Sequence, residues 1–141
     1  MNIGDITVYD DTYSSSPEAL VADFELLGLC DHTSKSCVIG DMLELGKHTQ
    51  RIHMEMGYSA VKHGFKRIFT FGEYSPYVRQ GALNAGLDEN NILVNTDTSS
   101  PQDTAKQILS SCAKGELILI KASHAVHAER IIEFLLSAKQ E

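Results

Sequence analysis

The stretch Cys37-Val38-Ile39-Gly40-Asp41-Met42-Leu43-Glu44-Leu45-Gly46 decides how this chain is read. A short β-favouring run stops at a glycine, an acidic turn follows, and helical apolar spacing takes over at 48–63. A run that is apolar without alternation suits a parallel strand covered on both faces, so the segment reads as strand, loop and helix.

Working outward, the same succession recurs on both sides. Short runs at Ile6-Thr7-Val8-Tyr9, Arg67-Ile68-Phe69-Thr70-Phe71, Asn91-Ile92-Leu93-Val94 and Leu117-Ile118-Leu119-Ile120 alternate with helix candidates at 17–28, 48–63, 76–85, 101–113 and 125–138. Leu20, Phe24 and Leu27 form one apolar stripe in the first helix; Ala128, Ile131, Ile132 and Leu135 form another in the last. Ser16-Pro17, Ser75-Pro76 and Ser100-Pro101 place serine at the N-cap and proline at the first helical position. Asp103 completes an acidic capping box with Ser100. Gly28, Gly64 and Gly86 stand where helix C-caps belong. Five βα units with right-handed crossovers predict an α/β, Rossmann-like, three-layer fold with a mostly parallel open sheet and helices on both faces. A single domain spans 1–141, with both termini expected to fray.

Composition agrees. The 141 residues fit one domain of roughly 100–200 residues, and 43% hydrophobic with 22% charged is an ordinary globular balance. A net charge of −7 has the wrong sign for a nucleic-acid surface. No apolar run approaches the ~20 residues of a membrane span, and no basic-then-apolar leader opens the chain, so a cytoplasmic protein is expected. Cys30, Cys37 and Cys112 are odd in number and have neither C-x-x-C nor finger spacing, so reduced thiols are expected, with Cys37 packing as a small hydrophobe.

In such a sheet, ligands bind beyond the carboxyl ends of the strands. The loops there carry Asp10 to Ser16, Gly40 to Gly46, Gly72-Glu73, Asn95-Thr96-Asp97 and Lys121 to His124. No G-x-G is present. Gly40 to His48 is the nearest approach to a P-loop, but it has one residue too many and a histidine where Ser or Thr would hold magnesium. Its Asp41 and Glu44 would repel a triphosphate, so this chain is not an ATPase by itself. His124 and His127 sit three apart at the last helix without a third ligand, so no metal site is expected. His48, His53 and His63 read as solvated or partly buried. Asp10, Asp11 and Lys121 satisfy part of a two-component receiver pattern, but Phe71-Gly72-Glu73-Tyr74 lacks its phospho-accepting aspartate.

Three motifs together are more specific. Asp11-Thr12-Tyr13-Ser14-Ser15-Ser16-Pro17 resembles D-x-Y-N-A-N-P, and Val38 to Gly46 carries G-D-M-x-E-L-G. Ile120-Lys121-Ala122-Ser123, with Glu129 downstream, resembles V-K-G-S followed by a helix with M-E. On these residues the chain resembles the C-terminal domain of the Mur ligases, nearest the branch that adds D-alanyl-D-alanine, over essentially its whole length but only the last third of such a ligase. Ser14 and Ser16 depart from the motif asparagines, and Ala122 and His124 from the usual Gly and Arg.

The resemblance implies a fragment of a three-domain ATP-dependent ligase of peptidoglycan precursor synthesis. In that chemistry ATP phosphorylates the carboxylate of a UDP-N-acetylmuramoyl peptide, and the amine of D-Ala-D-Ala attacks the acyl phosphate. ATP and Mg2+ would be held mainly by a central domain absent from this sequence. The N-terminal and central domains, the muramoyl peptide and the dipeptide are the implied partners. Asp11, Tyr13, Ser14 and Ser16 would face the nucleotide. Lys121 would be catalytic; with Ser123 and His124 it would steer the acyl phosphate or the dipeptide carboxylate, while the loop of Asp41 and Glu44 would help shape the cleft and pair with an ammonium. As an exposed strand-end residue, Lys121 would contribute under about 1 kcal/mol to stability. The alternative is a stand-alone binding module of the same fold.

Overall fold

The structure, a computed structural model, describes residues 1–12, 16–30 and 34–139. Its sheet contains β1 (Asn2–Ile3), β2 (Ile6–Asp11), β3 (Lys35–Gly40), β4 (Arg67–Phe71), β5 (Ile92–Asn95) and β6 (Leu117–Lys121) in the order β1-β2-β6-β3-β4-β5. The last five are mutually parallel, and β1 runs antiparallel to β2. The helices are α1 (Pro17–Gly28), α2 (Thr49–Lys62), α3 (Ser75–Asn84), α4 (Pro101–Ser111) and α5 (Glu129–Lys139). The expected open α/β sheet is therefore present, with one strand more than the five short runs announced. Asn2–Ile3 belongs to a hairpin turned at Gly4-Asp5, where Gly4 takes the left-handed backbone (φ 59) that glycine adopts without penalty. Ile3 is buried, so the N-terminus is held in the sheet rather than frayed.

Strand alternation sorts the core into two layers. Cys37, Ile39, Ile68, Leu117 and Leu119 face Leu20, Phe24 and Leu27 of α1, Met56 and Ala60 of α2, and Val78 and Ala82 of α3. Ile6, Val8, Val38, Phe69, Ile118 and Ile120 face Ala105 and Ile108 of α4, and Ile131, Ile132 and Leu135 of α5. Cys37 packs as an apolar residue, and burial holds its thiol well above its ordinary pKa. At the amino end of the sheet, buried Glu116 accepts from Ser34 Oγ (3.0 Å), Ser36 Oγ and Arg67 Nη1 (2.8 Å). That cluster ties β3 and β4 to the start of β6, far from the loops where ligands are expected.

Several helix boundaries move for local reasons. Ser16 caps α1 as expected, accepting from Ala19 N at 3.1 Å. Ser75, by contrast, is already helical, and its hydroxyl donates to Gly72 O at 2.7 Å. Ser100 precedes α4, but its hydroxyl reaches Asp97 Oδ2 (3.3 Å), so the capping box with Asp103 does not form. Gly28 ends α1 inside the helix with Leu29 as its cap, whereas Gly64 (φ 89) and Gly86 (φ 97) follow α2 and α3 with left-handed backbone. The last helix starts at Glu129. His124–Val126 form a 3-10 turn, and His127 is left-handed (φ 54), so His124 and His127 do not share a face of that helix.

Helices α2 and α3 cross at two glycines. A Cβ on Gly81 would lie 1.8 Å from Met54 O, and one on Gly57 would lie 2.1 Å from Val78 O. Backbone is the obstacle, so relief requires the helices to separate. Gly81→Ala gains roughly 1 kcal/mol of helix propensity, but overpacking costs typically about 1–3 kcal/mol and more against backbone. Denaturant unfolding should therefore show Gly81→Ala destabilised; a variant as stable as the parent or more so would refute the close crossing.

Candidate functional site

The carboxyl end of β3 runs into the Asp41–Gly46 loop, and almost every polar group at its root is directed inward. Gly40 is required by proximity, since a Cβ there would meet the Ala122 Cβ at 2.3 Å. Asp41, 6% exposed, accepts from the backbone N–H groups of Glu73 and Tyr74, each at 2.9 Å. A carboxylate from β3 thus caps the entry to α3, where serine was expected to do so, and its charge complements the helix N-terminus. Burial raises the Asp41 pKa against the opposing pull of those two N–H groups. Asp41 thus braces the root of the loop, with both carboxylate oxygens engaged by backbone N–H groups.

Next along the loop, Met42 is buried and its N–H donates to His53 Nε2 at 3.0 Å. Leu43 N–H donates to Ser123 Oγ at 2.9 Å, and Ser123 N–H donates to Asp41 O at 2.9 Å. Two reciprocal bonds therefore fasten the loop after β3 to the loop after β6. Glu44 is exposed in the left-handed region (φ 63), a conformation uncommon for a residue with a Cβ. Leu43, Glu44, Ser123, His124 and Ala125 line a depression of about 210 Å³. Glu44 and His124 project from it into solvent; Ser123 is mostly buried and serves the frame.

A second cluster lies on the face that carries α1. Lys121, only 1% exposed, donates to Asp11 Oδ2 at 2.6 Å and to Asp23 Oδ2 at 3.1 Å. The expected exposed lysine is instead a buried cation between two carboxylates, because its strand parity turns it beneath α1. Asp23 did not figure among the sequence candidates. Its signal was an acid within the stripe of Leu20, Phe24 and Leu27, on the buried side of α1. Burial, then hydrogen bonding with Asp11, pushes Asp23 up to about 6 against the opposing pull of Lys121. For Asp11, burial works upward, but the bonds to Asp23 and Lys121 outweigh it and leave its carboxyl lowered.

The remaining candidates divide plainly. Asp11 reaches the rim, with a quarter of its side chain exposed, while Ser16 spends its hydroxyl oxygen on the α1 cap. Tyr13 and Ser14 lie outside the described residues. Thr12 is buried, its N–H and hydroxyl both donating to Asp10 Oδ1. Among the described residues, no three His, Cys, Asp or Glu side chains are grouped to hold a metal ion. At the start of the glycine-bearing loop, the N–H groups of Asp41, Met42 and Leu43 are already given to Phe71 O, His53 Nε2 and Ser123 Oγ. No described helix is long and apolar enough to cross a membrane.

The family model for the Mur ligase glutamate ligase domain matches residues 1–124. The UDP-N-acetylmuramoyl-tripeptide–D-alanyl-D-alanine ligase of Bacillus subtilis (strain 168) is 29% identical over 134 residues, covering 94% of this chain and 28% of that protein. The enzyme of the same name from Rickettsia prowazekii (strain Madrid E) is 28% identical over 134 residues, covering 95% and 28%. Among solved structures, the MurF ligase of Thermotoga maritima in complex with ADP superposes with a TM-score of 0.78 at 26% identity, covering 99% of this chain and 30% of that one. The chain thus spans less than a third of the length of these relatives.

The Lys121 cluster yields two expectations. Lys121→Met leaves buried Asp23 facing Asp11 at the rim without the cation between them, and breaking a buried pair costs about 3–5 kcal/mol, not the small loss of an exposed lysine. Chemical denaturation at pH 7 should show that loss; a change under about 1 kcal/mol would mean the pair is not formed. Asp23, raised from 3.8 to about 6, binds its proton more tightly folded than unfolded, so its contribution is fully present below about pH 4 and is lost as pH rises through about 6. The stability of the parent relative to Asp23→Asn should therefore fall across that window, and a flat difference would exclude the shift.

Proposed function

Since the chain belongs to the Mur ligase family, with its glutamate ligase domain over residues 1–124, we propose that it is the substrate-binding and closing part of an ATP-dependent ligase that adds D-Ala-D-Ala to a UDP-N-acetylmuramoyl peptide. The observation that carries this reading is the depression at the rim, walled by Leu43 and Glu44 from one motif and by Ser123 and His124 from another. Relatives named as UDP-N-acetylmuramoyl-tripeptide–D-alanyl-D-alanine ligases align over nearly all of this chain. The N-terminal and central domains of such a ligase would be its partners, and peptidoglycan precursor synthesis its setting.

In this proposal ATP and Mg2+ supply the activation of the peptide carboxylate and are held mainly outside this chain. The chain's own residues position the incoming dipeptide. Glu44 offers a carboxylate to the ammonium end of D-Ala-D-Ala, and His124 stands across the depression toward its carboxylate. Catalysis here is a matter of orientation and water exclusion, since holding the amine in line converts a collision into a local step. Asp11 faces the nucleotide from the rim. Lys121 serves as a positioning residue, holding Asp11 there rather than touching the acyl phosphate, because its ammonium is enclosed by Asp11 and Asp23.

Two measurements on the purified chain test the proposal. Titration with D-Ala-D-Ala should shift the NMR signals of Leu43, Glu44, Ser123 and His124, and L-Ala-L-Ala should do so more weakly. No shift at millimolar dipeptide, or shifts confined to another face, would count against the site. The same preparation should show no ATP turnover; hydrolysis abolished by Lys121→Met would overturn the assignment of nucleotide chemistry to the rest of the ligase.

A further inference from the structure

His53 is fully buried beneath the Asp41–Glu44 loop. Its Nδ1 lies 2.7 Å from Thr49 O, one turn back on α2. A carbonyl oxygen only accepts, so Nδ1 carries the proton. Its Nε2 lies 3.0 Å from Met42 N, which only donates, so Nε2 carries the lone pair. Both bonds together admit one state of the ring: neutral, protonated at Nδ1. The Tyr74 ring covers it with centroids 4.9 Å apart.

We propose that neutral His53 is the positioning residue of the dipeptide depression, with Nε2 holding the Met42 N–H so that Leu43 and Glu44 stand opposite Ser123 and His124. The proposal deepens the acceptor-binding reading above and rests on it for the identity of the ligand, though not for the behaviour of the loop. Met42 precedes the two residues that wall the depression, and the next N–H, that of Leu43, is the one held by Ser123. Losing the Met42 anchor therefore releases the wall at its base.

Protonation is the natural disturbance. An imidazolium would place a second N–H against the Met42 N–H, so one proton breaks the bond and adds repulsion. Burial lowers the pKa of His53, while the Thr49 carbonyl and the Asp41 carboxylate oppose that shift. From the loop after β3 the charged neighbour is Asp41, itself influenced by Glu73; Tyr74 faces the ring from the entry to α3. The loop is accordingly set at neutral pH and released in acid.

The test uses the 141-residue chain and NMR. On lowering the pH, the Met42, Leu43 and Glu44 amide signals should move with one midpoint, equal to that of the His53 ring and below pH 6.5, while the signals of α4 and α5 stay in place. His53→Phe keeps an aromatic ring of similar size but no acceptor, and should speed hydrogen exchange at Met42 and Leu43 by about tenfold, the equivalent of one lost hydrogen bond. His53→Gln can present an oxygen near the Nε2 position and should restore protection while abolishing the pH-dependent movement. If His53 titrates without moving the loop, or if His53→Phe protects the loop as well as the parent does, the ring is only packing and the inference fails. Should His53→Phe not fold, the titration of the parent chain decides alone. Adding D-Ala-D-Ala separates the two readings: a loop that follows His53 in a chain that binds no dipeptide would sink the acceptor assignment and leave the positioning role standing, whereas binding unaffected by a released loop would sink the role of His53 in the depression.

Discussion

The site depends on where one carboxylate is placed. Asp41 leaves β3 and turns at once into the entry of α3, where two backbone N–H groups await it. Gly72 makes the approach possible: with φ 134 and no side chain, it leaves the space in which a Cβ would lie 2.3 Å from the Asp41 carboxylate. Unmet, such a buried charge is costly; bonded to two N–H donors at a helix start, it becomes a tie between neighbouring strand ends. With Asp41 fixed, its carbonyl receives the Ser123 N–H, Met42 reaches His53, and Leu43 reaches Ser123. The rim of the sheet is thereby a framework of backbone groups, with side chains left over at only a few places.

Much of the architecture was legible because it follows from local rules. The unbroken apolar runs named five strands, the stripes on α1 and α5 named their inner faces, and Ser16 with Pro17 marked a helix start that the structure keeps. What escaped was decided over distance. Lys121 and its partners are 110 and 98 residues apart, so its burial depends on β2, β6 and α1 coming together. Ser75 lost its capping role to an aspartate more than thirty positions earlier. A two-residue strand such as Asn2–Ile3 is too short to display any periodicity.

The candidate site was readable in part, and in a particular way. Asp41 and Ser123 were expected to touch ligands, yet Asp41 bonds to the Glu73 and Tyr74 N–H groups and Ser123 to Leu43 and Asp41. Recurring residues at a strand end report a backbone path as readily as a chemical group. Glu44 and His124 do face outward, and Asp11 keeps one edge at the rim. Asp23 and His53 looked ordinary because each sits within a helix, where an acid and a histidine usually mean solvent. Their positions on the inner faces were the available signal.

The left-handed backbone at Glu44 bears on how such a site can diversify. Most side chains resist that conformation, and glycine, asparagine and aspartate enter it most easily. Asparagine would remove the rim charge, aspartate would retract it by one carbon, and glycine would erase it. His124, in an ordinary 3-10 turn, carries no such restriction. In the acceptor site proposed above, drift in ligand preference would therefore be lopsided: one wall of the depression offers a short alphabet, the other a long one, and new specificities are to be sought first on the histidine side.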